Sequence, residues 1–162
     1  MNKPKSAAVG ANNGSSSVGI ESIADIMERE RANTIADWFA RVEAQPELKS
    51  IPLSYEDRAG YLPQLLNDVI VRLRSETGTH TPISAAAATH GGLRRRQGYT
   101  VALIVEESRL LQVSIFSMLH NNVKQIDFPL LLPAIITIAD EVDAQLKQQM
   151  LRFMAAERHD SR

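Results

Sequence analysis

The run VALIVEESRLLQVSIFSMLHN, residues 101–121, decides the fold. Ile104, Leu111, Ile115 and Met118 fall along one face of an α-helix, and Leu103, Leu110, Val113 and Phe116 broaden that face on its flank. A helix apolar around so much of its circumference belongs in the middle of a bundle. Thr100 can cap its start, because a threonine hydroxyl accepts from the free amides of a first turn. Glu106, Glu107, Arg109 and Gln112 interrupt the run, so it falls short of the ~20 apolar residues that a bilayer span needs.

Working upstream, a helix is predicted over residues 82–97, with Pro82 in its first turn and Gly98 ending it. Gly91 and Gly92 weaken this helix by roughly 1 kcal/mol each relative to alanine, so a neighbouring backbone is expected to come close there. Residues 54–74 form an earlier helix, in which Ser54 and Asp57 make a variant capping box and Leu62, Leu65, Leu66, Val69, Ile70 and Leu73 the apolar face. Pro63 lacks an amide hydrogen and is expected to kink or restart it. The first helix spans residues 21–44 and carries Ile23, Met27, Ile35, Trp38, Phe39 and Val42.

Downstream, a long helix over residues 128–158, bent at Pro133, carries the stripe Ile135, Ile138, Val142, Leu146, Met150 and Phe153. At ~1.5 Å per residue it outruns a compact bundle, so Leu146, Met150 and Phe153 are expected to form a dimerising output face, a parallel coiled coil. No strand-like alternation competes. The expected fold is therefore all-α: a single-domain bundle of about five helices over residues 20–158 with a long C-terminal helix, a flexible tail over 1–19 and a short one over 159–162.

The 162 residues include no cysteine, which excludes disulfides, thiolate metal sites and cysteine nucleophiles together. A formal net charge of -1 argues against a general nucleic-acid binder. No secretory leader or membrane span is visible, and the expected location is cytoplasmic. No Glu-x-x-His pair occurs for a di-iron site. His80, His90, His120 and His159 are widely separated, so no metal site is predicted. No catalytic constellation and no cofactor are implied. The alternative is a globin-like helical sensor that holds haem, through His90 or His120, or a small apolar ligand between helices.

The segment with the most chemistry runs from His90 through Arg94, Gln97 and Tyr99 to Glu107 and Arg109. His90 and Arg94 are four apart and share a helix face, and the Gly98 turn folds the next helix back so that Glu107 or Arg109 can approach them. The expectation is a charged cluster, a ligand or interaction site or a structural clamp, made of His90, Arg94, Gln97, Tyr99, Glu107 and Arg109.

Here the chain resembles the RsbRD-type N-terminal domain found on stressosome co-antagonists and some bacterial sensor histidine kinases. The likeness rests on Ile35 to Val42, Leu53-Ser54, Leu62 to Leu66, His90-Gly91, Arg94, Arg96 to Thr100, Glu107 and Arg109 to Leu111. It differs at Ser108 and Gly92. The resemblance implies a sensory or protein-interaction input module without catalysis of its own that signals to a C-terminal effector or a downstream signalling protein, and the stripe of the long last helix adds the expectation of a homodimer. Because no effector domain is visible within the 162 residues, the chain reads as an excised input domain or a stand-alone relative.

Overall fold

A computed structural model describes residues 19–75 and 84–160. Residues 1–18 of the expected tail over 1–19, the expected helix start at Pro82 and the last two residues lie outside them. The described residues form an all-α single domain: α1 (Ile23–Arg29), α2 (Arg31–Glu43), α3 (Pro46–Lys49), α4 (Tyr55–Ala59), α5 (Leu62–Arg74), α6 (Ala85–Arg96), α7 (Val101–Asn121), a 3-10 turn (Val123–Gln125) and α8 (Phe128–Asp160). None of these helices is long and apolar enough to cross a membrane.

The central expectation holds at α7, whose bounds match and whose start is capped by the Thr100 hydroxyl accepting from Leu103 N. Two expected helices are each divided. The first breaks at Glu30, and the second at Gly60 and Tyr61, so that Pro63 sits in the opening turn of α5 rather than inside a helix. That position suits proline, since a first-turn amide has no intrahelical acceptor to lose. Ser84 opens α6, accepting from Ala87 N and donating to Asp68 of α5. The long helix continues to Asp160, two residues past the expected domain end.

α6, α5 and α7 pack against α8, while α2 covers α7 and α1 covers α5. The core between them holds Trp38, Leu65, Leu66, Ile70, Ile104, Ile115 and Ile138. α6 lies closest to α8, and Gly91 is the reason: a Cβ there would stand 2.2 Å from the Gln149 carbonyl oxygen. Backbone meets backbone at this crossing, which only glycine permits.

That approach corrects the expected dimer stripe. Phe153 is buried with the Arg95 guanidinium 5.2 Å over its ring, and Leu146 and Met150 pack on the core of the same chain. α6 covers the C-terminal half of α8, so the stripe is used within the monomer.

Candidate functional site

The turn between α6 and α7 builds the site. Gly98 adopts φ 84°, which costs glycine nothing, and it lets the amides of Gly98 and Tyr99 reach the carbonyls of Arg95 and Arg94. This closes the last turn of α6 and swings Tyr99 inward, its ring 4.8 Å from the Arg94 guanidinium carbon.

Glu107 is the buried anion at the centre. Its Oε1 accepts from the Tyr99 hydroxyl at 2.8 Å, and its Oε2 accepts from Arg94 Nε at 2.9 Å. His90 Nε2 lies 3.3 Å from the same Oε2. Arg94 spends its remaining donors on the Gln97 side chain and on the backbone carbonyls of Asp57 and Arg58. These carbonyls end α4, where acceptors lack intrahelical partners, so Arg94 also caps that helix. Arg58, buried too, donates to the Tyr99 hydroxyl at 2.9 Å and to the Ile51 carbonyl at 2.7 Å. Trp38 of α2 donates to the Glu107 carbonyl at 3.2 Å.

Two guanidinium groups thus converge on one carboxylate, one directly and one through the tyrosine. Burial alone would raise the Glu107 carboxyl, but the His90 hydrogen bond and the Arg94 charge outweigh it and hold it below its ordinary range. Burial, joined by the Arg94 charge, pushes His90 down despite Glu107, so the imidazole is neutral near pH 7 and Nε2 donates. Burial, with Glu107 beside it, pushes the Tyr99 phenol up. His90 Nδ1 is buried without a protein partner. Near it a cavity of about 10 Å³, lined by Trp38, Leu65, His90, Ser108 and Gln149, has room for about one water.

Five of the six expected cluster residues come together: His90, Arg94, Gln97, Tyr99 and Glu107. Arg109 does not. It is exposed and pairs with Glu106 at 2.6 Å, because two residues past Glu107 is more than half a turn around α7. Arg58 and Trp38 complete the site without any local sequence signal, since both arrive from other helices. His90 has its Nε2 held by Glu107, and the cavity of about 10 Å³ beside the ring is too small for a haem. His120 is exposed on the rim of an open groove of about 710 Å³ between α2 and α7, whose wall carries the Asp37 and Arg41 ion pair. Among the described residues no three His, Asp or Glu side chains gather where a metal ion could bind.

The cluster joins α2, α4, α6 and α7 through charges withdrawn from water. Such an assembly is stiff and costly to break at any one member, since each deletion strands a buried partner. Compared with known proteins, the chain matches no family model, no curated protein and no solved structure.

Proposed function

We propose that this chain is a non-catalytic sensory or regulatory input module of bacterial signal transduction, acting in the cytoplasm as a pair of copies on a downstream signalling protein or a C-terminal effector. One observation carries the reading. α6 is held on one face by the His90, Arg94 and Glu107 cluster and pressed on another, at Gly91, against the backbone of α8. A displacement of the clamp is therefore delivered to the longest helix of the molecule. The resemblance to the RsbRD-type domain supports the same role. The alternative, a sensor holding haem or an apolar ligand between helices, has little internal room beside His90, and the larger groove is open and edged by an ion pair.

The test is made in the source organism. The chain is deleted, or Gln97→Ala is introduced to loosen Arg94 while leaving the buried carboxylate paired, and transcripts are profiled through heat, salt and starvation. A defined set of stress or sensor-kinase target genes should shift in both strains. A deletion strain indistinguishable from its parent under every condition overturns the reading.

A further inference from the structure

With the expected stripe turned inward, the outward face of α8 is a different set of residues: Leu132, Ile136, Asp140, Asp143, Lys147, Leu151 and Met154. Their spacings of four, four and three repeat every eleven residues, about 3.67 per turn, so the face stays in line along a nearly straight helix. The apolar members are open to solvent: Leu132 by 65%, Ile136 by 62%, Leu151 by 55% and Met154 by 39%. Large apolar side chains lined up on one exposed face mark a contact.

The order of chemistry along this face identifies the occupant. Reading from its N-terminal end it runs apolar, apolar, acidic, acidic, basic, apolar, apolar. Laid parallel on a second copy in register, it sets Asp140, Asp143 and Lys147 against their own kind. Laid antiparallel about a point between Asp143 and Ala144, it brings Lys147 opposite the other copy's Asp140, whose exposed carboxylate also accepts from Arg72 of its own chain at 2.9 Å, with the Asp143 carboxylate one turn away. The same register sets Ile136 against Leu151 and Leu132 beside Met154 and Ala155. A surface complementary to its own reversal is what a twofold interface requires. Beside it, a depression of about 520 Å³ walled by Ala88, Ala144, Lys147, Leu151 and Ala155 offers space for the protruding Ile136 and Leu132 side chains.

We infer that a second copy of this chain docks antiparallel on the outer face of α8, centred between Asp143 and Ala144; this gives a geometry to the pairing in the functional reading above. The strip from 132 to 155 is roughly 36 Å long at ~1.5 Å per residue and one helix wide at ~10 Å. That is less than the ~800 Å² per partner of a standard stable interface, so a micromolar, reversible dimer is expected.

The absence of native cysteine makes the geometry directly readable. Ile136→Cys and Leu151→Cys single variants are mixed under mild oxidation, and the linked pairs are identified by peptide mass. The antiparallel arrangement predicts cross-links between the two variants at least tenfold above those within either one alone. Predominant 136-to-136 and 151-to-151 links overturn it in favour of a parallel pair. Light scattering from ~5 to ~300 µM supplies the second readout. Wild type should shift from monomer toward dimer, and Ile136→Glu with Leu151→Glu should weaken the shift at least tenfold while keeping the wild-type melting curve. A wild type that stays monomeric throughout, whatever it does in cells, overturns the inference, whereas an unaltered transcript profile with an intact dimer defeats only the signalling role.

Discussion

Glu107 shows what one residue is worth when its full negative charge is buried inside a bundle. It is served by Tyr99, Arg94 and His90, so removing any of them leaves a desolvated group without its partner. Arg94→Ala should cost ~3–5 kcal/mol in denaturant unfolding, while Arg109→Ala, which breaks only an exposed pair, should stay within ~0.5 kcal/mol. Equal small losses would show the cluster to be solvated. His90 adds a pH dependence. Its folded pKa lies below the ordinary 6.5 because burial and Arg94 disfavour the charged ring, although Glu107 pulls the other way. Below about pH 6.5 the unfolded chain therefore binds a proton that the folded chain refuses, and stability falls on acidification, at most by ~1.36 kcal/mol per pH unit. His90→Gln should flatten this slope between pH 6.5 and 5; a slope as steep as wild type would assign it to other groups. Glu107 contributes in a lower window, since its depressed pKa loses stability only as pH falls below the carboxylate range. The five residues of the cluster within 90–107 were legible because helix spacing and a glycine turn bring them together locally. Arg58 and Trp38 were not, because only tertiary packing unites them with Glu107.

At the scale of elements, helix positions were read more securely than helix ends. The bounds of α7 followed from Thr100 and an unbroken apolar period, but the breaks at Glu30 and Gly60 leave that period intact, so continuous helices were expected across them. The two adjacent glycines of α6 have opposite roles that no sequence pattern separates. At Gly91 a methyl would stand 2.2 Å from the Gln149 carbonyl oxygen, whereas at Gly92 its nearest neighbour, the Arg152 Cγ, is 3.5 Å away in ordinary contact. Gly91→Ala must push α6 off α8, and a loss of ~3 kcal/mol or more is expected, at the upper end of overpacking costs. Gly92→Ala should instead gain up to ~1 kcal/mol by removing backbone freedom from a helix. Thermal melts of the two variants check the contrast, and a Gly91→Ala protein as stable as wild type would mean that the helices do not cross there.

Across the whole molecule, α6 lies between the cluster on one side and the C-terminal half of α8 on the other. One face carries His90 and Arg94 into the cluster with α7 and α4; another carries Gly91, Gly92 and Arg95 onto Gln149, Arg152 and Phe153 of α8. The all-α class and the long last helix were legible in the sequence, but which side of that helix faces outward depends on where α6 lands, a long-range matter that periodicity leaves open. Tyr99→Phe tests the connection because it removes one hydroxyl and little volume. The change leaves Arg58 and Glu107 each short of a hydrogen bond, a cost of ~1–3 kcal/mol confined to the clamp. If α6 and α8 open as one unit, amides of α8 between 146 and 153 should exchange with deuterium faster by the same free energy, up to ~100-fold, although Tyr99 has no hydrogen bond to α8. Amides of α1, tied to α5 by the exposed Arg74 pairs with Asp25 and Glu28, should change far less. The measurement belongs at ~1 µM protein, below the expected dimer range, so that pairing through α8 does not mask the opening. Faster exchange confined to 90–107, with α8 as protected as in wild type, would show that the clamp and the long helix are uncoupled and would remove the route by which a signal at the cluster reaches the output helix.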